Sequence, residues 1–405
     1  MPSNERVRVA IVGAGIGGLT LSVALGAMKK EKSNLEISIY EASTCISNIG
    51  AGIDFWPRTW KIMKSIGLQE DLLRLLPQVP DGSSISEILA VLPVLTSTYA
   101  AFMSYEERED EICLQFHNGQ NVTCDVLIGM DGINSAVRKC FLTKQGLLDS
   151  LSFNPKCPGY TAYRGLIPVA RLEAVFPECR ALHGPMMYWG KCKHIVAYPI
   201  SGGRSINTVF FTFDPSKKGE TCEGPSVKSC TREEMLSMFY GWEREVQALI
   251  QCAENPTKWV IRALMPLESY SKGRVFLGGD AAHAMTPFQG GGAAQTIEDG
   301  YILAGLLSDE ACGPETFSHI SEVYNTICCP MGNSVLEKSK TTGEIYEFMV
   351  PGFEDVVEGD KNVPLLKLKE LVHVLEREWG WIGETSPEED KLCALELFNG
   401  GCYNS

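Results

Sequence analysis

The pattern of apolar and polar positions starts with a short buried run, Val7–Val12 (VRVAIV), which breaks at a cluster of glycines. A helical pattern follows from 17 to about 29, and a second apolar run, LEISIY, occupies 35–40. This alternation is that of a βαβ unit of ordinary length. Residues 56–66 predict a helix, with Pro57 in its first turn and Gly67 at its end. From 107 to 129 the chain reads as a β-meander: 111–117 alternates, Asn118-Gly119 makes the hairpin turn, and 121–128 returns. Strand patterns dominate 160–213, one or two helices are predicted over 232–253, and a strand over 259–263. Another buried strand, 275–277, leads through a glycine-rich loop into a helix over 291–307, and the last hundred residues are mainly helical in pattern.

This order predicts an α/β protein whose first domain is interrupted by an inserted sheet and then resumed. The expected division is 1–150, 151–269, 270–345 and a helical region over 346–405. A length of 405 residues accommodates such a two-domain core. The net charge of −14 argues against a nucleic acid or an anionic membrane as partner, because both require a basic face. Fifteen cysteines are scattered, without the paired spacing of a zinc site, so no metal is expected. Cys45, Cys113, Cys124 and Cys140 sit in or beside apolar segments, where a free buried thiol is the expected state. The chain enters its first strand without a signal-peptide pattern, and the apolar stretch over 88–103 is interrupted by Pro93. A soluble, cytoplasmic protein is the expectation.

The glycine cluster, Gly13-Ala14-Gly15-Ile16-Gly17-Gly18, lies between a strand and a helix. Gly13 permits the tight turn, Gly15 lets a pyrophosphate approach the backbone, and Gly18 allows close helix–strand packing. The helix start supplies unpaired N–H groups and a positive dipole end for phosphates. Glu41 closes the second strand 23 residues after Gly18, where a carboxylate accepts ribose hydroxyls. This motif implies a dinucleotide and leaves FAD and NAD open. Further on, 273–300 reads GRVFLGGDAAHAMTPFQGGGAAQTIEDG. Asp280 follows a strand, positioned to bond a ribityl hydroxyl. Pro287 begins a rigid turn, and Gly290-Gly291-Gly292 lead into a helix whose N-terminus stabilises negative charge on a reduced flavin. His283 in this stretch is read as capping or packing the turn. A Ser-His-Asp hydrolase is excluded by the absence of a GxSxG elbow.

Three motifs in order, Gly13 to Gly18, Asp131-Gly132 (DGINSAVR) and Gly279-Asp280, make the chain resemble the class A FAD-dependent aromatic monooxygenases over about 7–345, in particular their fungal salicylate hydroxylase-like branch. The resemblance implies a Rossmann-type FAD-binding domain of the para-hydroxybenzoate hydroxylase kind, an inserted β-sheet substrate domain and a helical C-terminal region. It implies FAD as cofactor and NADPH or NADH as co-substrate, the latter docking without a Rossmann domain of its own. The reaction implied is hydroxylation, with or without decarboxylation, of a small phenolic or aromatic-acid substrate through a flavin hydroperoxide. Gly13, Gly15, Gly18, Glu41, Gly52, Asp131, Asp280, Pro287, Gly290, Gly292 and Ala293 are the cofactor-binding candidates. Arg138, beside the second motif, is either a cofactor-region residue or a solvated helix charge.

Arg164 and Tyr198 on the middle sheet are the catalytic candidates, spaced much as an active-site Arg and Tyr are in fungal relatives. Arg164 would hold a phenolate or carboxylate, and Tyr198 would donate or relay a proton. Strand alternation allows only one of Tyr163 and Arg164 to face the flavin. One departure from the family is that 77–104 contains no arginine where relatives carry a longer, Arg-containing segment. A flavin-binding pseudoenzyme or uncoupled NAD(P)H oxidase is therefore the competing expectation. The partner expected is a small aromatic substrate, with the chain as monomer or homodimer.

Overall fold

The computed structural model describes residues 6–29, 35–43, 56–75, 97–220, 226–360 and 363–400. The first strands and helices are β1 (Val7–Val12), α1 (Ile16–Met28), β2 (Leu35–Glu41), α2 (Pro57–Ser65), α3 (Gln69–Leu75) and β3 (Ser97–Tyr99). A meander of β4 (Phe102–Glu107), β5 (Ile112–Phe116) and β6 (Asn121–Cys124) precedes β7 (Val126–Gly129) and α4 (Ala136–Lys144). The inserted unit contains β8 (Tyr160–Pro168), α5 (Val169–Val175), β9 (Met186–Gly190), β10 (Lys193–Ile200) and β11 (Ser205–Phe213). It continues through β12 (Val227–Ser229), α6 (Arg232–Met238), α7 (Arg244–Cys252) and β13 (Glu254–Val260). The chain then returns through β14 (Ser271–Lys272), β15 (Val275–Leu277), α8 (Asp280–His283) and α9 (Gly292–Leu307). Helices α10 (Phe317–Tyr346), α11 (Leu365–Glu384) and α12 (Pro387–Phe398) complete it.

The first sheet has the order β14-β15-β7-β1-β2-β3, with β15, β7, β1, β2 and β3 parallel. Parallel strands are covered on both faces, which explains why β7, β15 and β1 from Val9 onward are continuous apolar runs. Val9, Ile11, Leu127, Ile128, Phe276 and Leu277 are all buried in this core. Helix α9 is buried along almost its whole length and packs along α1. The parallel sheet with a separate antiparallel one is the α/β architecture that the sequence predicts.

The second sheet, β12-β13-β8-β11-β10-β9, is antiparallel and alternates as such sheets do. Tyr163, Ile167, Ile195, Ala197, Ile206 and Phe210 pack toward α5, α6 and α7. Tyr160, Ala162, Val196, Val209 and Phe211 point to the opposite face. The strand predicted over 259–263 instead runs Glu254–Val260, with a register shift between Glu254 and Thr257. Glu254-Asn255-Pro256-Thr257 lacks a strand pattern, but pairing with β8 and β12 imposes the conformation, and Asn255 absorbs it at φ 42°. Ala263 retains only an isolated bridge to Lys156.

One buried arginine ties the last two helices to the first domain, in addition to their apolar packing. Arg58 of α2 is 1% exposed and binds Glu298 of α9 through two bonds, Nε–Oε1 at 2.9 Å and Nη2–Oε2 at 2.8 Å. The same guanidinium reaches Asp390 of α12 at 3.1 Å and the Thr385 hydroxyl, and lies over the Trp381 ring. Two carboxylates share one cation here, so burial raises the pKa of both Glu298 and Asp390 against the pull of Arg58. Eleven cysteines among the described residues are free thiols, Cys113, Cys124 and Cys140 among them, whereas Cys157 is disulfide-bonded. No helix among the described residues is long and apolar enough to cross a membrane.

Removing one member of a buried ion network leaves the others unpaired, which costs more than the network contributes as a whole. Arg58→Met is expected to lose about 3–5 kcal/mol of unfolding free energy, measured by urea denaturation. The double variant R58M/E298M should recover part of that loss, because the stranded carboxylate has gone.

Candidate active site at three converging turns

The turns that follow β1, β7 and β15 meet at one end of the parallel sheet. At the first, Gly13 has φ 108°, and its N–H donates to the Tyr40 carbonyl at 2.8 Å. A Cβ at Gly13 would overlap the Met130 carbonyl, and one at Gly18 would overlap the Gly13 carbonyl. Gly15 differs, because a Cβ there would meet nothing within 4 Å. The start of α1 is thus open on the side where a pyrophosphate would approach. Glu41 is held at the end of β2 by two backbone donors, Ala14 N–H at 2.7 Å and Ser43 N–H at 2.8 Å. Each carboxylate oxygen keeps a lone pair for a further donor.

At the second turn Asp131 caps α4. Its carboxylate accepts from Ser135 Oγ at 2.5 Å, Ala136 N–H at 2.7 Å and Val137 N–H at 3.1 Å. Burial pushes its pKa up, and these bonds oppose the shift. Arg138 is not a solvated charge: it is fully buried and donates to the carbonyls of Ile133 at 2.7 Å and Ala281 at 3.0 Å. Burial draws its pKa down to about 10, against Asp131 and Asp280. It therefore ties the second turn to the third.

At the third turn Asp280 is solvent-accessible, yet the protein around it raises its pKa by desolvation, opposed by His283 and Arg138. That combination describes a carboxylate at the floor of a cleft. His283 is fully buried and pairs with Asp299 of α9 at 2.6 Å, while Asp299 also accepts Gly279 N–H at 2.8 Å. The histidine packs the turn, as its setting in the sequence predicts. Pro287 starts a single turn of 3-10 helix that ends on Gly290 at φ 66°, and Gly292 and Ala293 begin α9. Ser339 and Thr342 of α10 hold this loop through Thr286 and Gln289.

Phe288 carries the loop onto the second sheet, where its ring meets Tyr160, His194 and Phe211 at 4.7, 5.0 and 5.2 Å. The sheet face it touches is the one bearing Arg164 and Tyr198. Arg164 follows Tyr160 and Ala162 on that face, and Tyr198 follows His194 and Val196. Tyr163 points the other way, under Lys258. The Arg164 guanidinium lies 5.4 Å from the Trp259 ring centroid, and no acid contributes to its surroundings, so burial lowers its pKa with only Tyr198 opposing. Asn207, cross-strand from Tyr198, is buried with Oδ1 unpartnered. A separate hollow of about 550 Å³, lined by residues including Tyr105, Lys144, Lys272 and Asn325, contains none of these groups.

A family model described as FAD binding domain matches residues 246–339, which span the third turn and α9. Salicylate hydroxylase of Pseudomonas putida is 32% identical, over 85% of this chain and 87% of its own length. The chain belongs to the class A FAD-dependent aromatic monooxygenases. Within this monooxygenase family, an FAD-dependent monooxygenase of Strobilurus tenacellus is 29% identical over 98% of this chain and 99% of its own. A solved salicylate hydroxylase substrate complex superposes with a TM-score of 0.83 at 28% identity, covering 97% of this chain and 98% of that one. FAD is the cofactor of such a monooxygenase, and the open Gly15 turn, the anchored Glu41 and the accessible Asp280 fit it.

Gly52 lies outside the described residues, as does most of 77–104. Sequence reasoning missed Phe288, Trp259 and the pair formed by His194 and Glu347. Trp259 carried a signal, since Thr257 and Trp259 alternate onto one strand face, but the strand was placed too late to use it. Phe288 and Glu347 carried none, because their partners are distant in sequence.

The His194–Glu347 pair joins β10 to the end of α10 at 2.8 Å, with both side chains fully buried. Burial pushes Glu347 up to about 9 and His194 down to about 3, so the pair is neutral and shares one proton across the contact. Glu347 favours the folded state below its unfolded pKa and loses that contribution as pH rises toward 9. His194 does so above its unfolded pKa and loses it as pH falls toward 3. The melting temperature should therefore fall between pH 6.5 and 9. Glu347→Gln, whose amide N–H replaces the carboxyl O–H, should flatten that alkaline limb. An unchanged slope in the variant contradicts the neutral pair. Separately, Gly15→Val should fold with a near-native melting temperature but purify without flavin absorbance, because the side chain would fill the open space through which a pyrophosphate would approach.

Proposed function

We propose that this monooxygenase uses NAD(P)H and O2 to hydroxylate a small phenolic or aromatic-acid substrate bound against the Arg164 face of the second sheet. The observation that carries the reading is Arg164 itself: a half-buried cation, with no carboxylate partner among the described residues, on the face that the 287–290 loop touches. A buried charge is costly unless it is paired, so an unpaired one implies an anion supplied from outside. Tyr198 shares that face and lies close enough for the two to interact.

Gly13, Gly15, Gly18 and Glu41 would hold the ADP half of FAD. Asp280 would take its ribityl chain, and Pro287, Gly290, Gly292 and Ala293 at the start of α9 would face its ring. Asp131, which holds the start of α4, would stand beside the cofactor at the second turn. When bound, FAD supplies the redox chemistry that activates oxygen. The chain's own part is to bind, orient and desolvate the substrate. Arg164 would fix a carboxylate or phenolate by charge-assisted bonds, lowering the cost of ionising a phenol. Tyr198 would relay the phenolic proton. Phe211, Val209 and Val196 supply apolar walls that exclude water. A substrate carrying its carboxylate on the hydroxylated carbon would lose it as CO2.

A second reading, flavin-dependent NAD(P)H oxidation without hydroxylation, has a specific observation in its favour. The alignment with the Pseudomonas putida enzyme spans 389 positions but takes up 85% of this 405-residue chain, about 344 residues. About 45 positions of that relative thus face no residue here. This chain is thus shortened relative to that enzyme, in keeping with a shortened 77–104.

The purified protein, reconstituted with FAD, should show flavin absorption bands and oxidise NAD(P)H faster with a phenol or benzoate from a substrate panel, giving a product heavier by one oxygen. Peroxide equal to all NAD(P)H consumed, with every compound, would establish the oxidase instead. Arg164→Met should raise KM for carboxylated substrates by about 10–100-fold, the worth of one charge-assisted bond, and leave that for neutral phenols within a few-fold.

A further inference from the structure

We infer that Trp259 is a positioning residue for substrate recognition: its indole holds the Arg164 guanidinium toward the 287–290 loop without neutralising it. The inference rests on the reading of Arg164 as the anion site.

The register of the sheet carries the argument. Arg164 of β8 is paired with Thr257 of β13 on one side and with Val209 of β11 on the other. One step along the same face, Ala162 is paired with Trp259 and Phe211. Beyond it, Tyr160 meets Phe288 of the loop. The guanidinium lies over Trp259, so the side chain leans from its own row toward the row nearer that loop. Ala162 is small, which leaves the space between the indole and Phe211 for the arginine to lean into.

The indole is itself fixed. Its Nε1–H donates to Thr257 Oγ1 at 2.9 Å, two residues back on the same strand and directly beside Arg164. An arginine side chain loses substantial rotamer entropy when it is immobilised. A carboxylate partner would immobilise it and cancel its charge. The face of a tryptophan immobilises it through the ring quadrupole and leaves the planar N–H fork free for an incoming carboxylate. The other arginines of the interior are organised differently. Arg58 is neutralised by Glu298 and Asp390, and Arg138 is spent on two carbonyls. Arg164 alone of these three keeps both its charge and its donors.

The test uses the FAD-loaded protein and two ligands of the same shape, salicylate and the neutral salicylamide, titrated by isothermal calorimetry. Trp259→Leu is expected to weaken salicylate about tenfold, within the range of a partly desolvated cation–π contact, and to leave salicylamide within twofold. Trp259→Phe, which keeps an aromatic face, should fall between Trp259→Leu and the unmodified protein, and guards against a leucine variant that folds poorly. Equal weakening of both ligands means that Trp259 merely shapes the pocket, and no weakening of either means that it does not position Arg164; each overturns the inference. Arg164→Met separates the two levels. If it costs salicylate affinity while Trp259→Leu does not, only the role of Trp259 fails. If Arg164→Met costs nothing, or the unmodified protein binds no salicylate, the anion site fails and this inference with it.

Discussion

Met130 and the backbone around it are where the three turns of the first domain are pressed together. Its carbonyl occupies the place that a side chain on Gly13 would need. Its thioether lies where side chains on Gly17 and Gly278 would stand, and Thr296 of α9 closes against Gly17 and Gly279. Such close approach is available only to glycine, so the glycines of the first and third motifs are parts of one packing requirement. It brings the ends of β1, β7 and β15 within reach of one extended ligand. The starts of α1 and α9 then converge on that ligand with their positive dipole ends, which suits a cofactor with a pyrophosphate at one end and an electron-accepting ring at the other.

The fold was readable because its signals are local. β1, β7 and β15 are apolar runs that end at glycine, and α1 and α9 start within the glycine clusters. The three motifs were likewise visible, because turn chemistry is written in adjacent residues. What sequence reasoning placed wrongly, or left open, depends on partners far along the chain. β13 starts five residues earlier than its composition predicts, because β8 and β12 recruit a polar stretch into pairing. Arg138 could have been a surface charge until Ala281, 143 residues away, was seen to accept from it. The Arg58 network joins residues 240 and 332 positions apart, and nothing in the pattern of α2 announces it.

The candidate site shows the same division. Alternation along β8 established that Tyr163 and Arg164 face opposite ways, but not which way the flavin loop lies. Phe288 decides that by packing on Tyr160 and Phe211, and Gly343 of α10 leaves room for its ring. The loop is therefore held between α10 and the sheet, with Gln289 bonded to Thr342 and to the Glu378 carbonyl of α11. Phe288 thus sets the 287–290 loop against the Arg164 face of the second sheet, and the C-terminal helices contribute to this although they carry none of the three motifs.

Buried charge gives the arrangement its direction. Among the described residues of the first domain the fully buried ionic groups have partners within the protein: Arg58 has Glu298, His283 has Asp299, Arg138 has two carbonyls and Asp131 has a helix start. At the junction of the two sheets His194 and Glu347 avoid charge altogether. By contrast, Arg164 has no carboxylate partner among the described residues; it lies on the face next to the 287–290 loop, beside an indole that cannot neutralise it. The exception is informative because the alternative was cheap, since an aspartate or glutamate at the neighbouring Thr257 would have paired it. On the proposed reading, keeping the charge open places that unmet electrostatic demand where an aromatic anion would meet it, so that substrate binding would complete the interior.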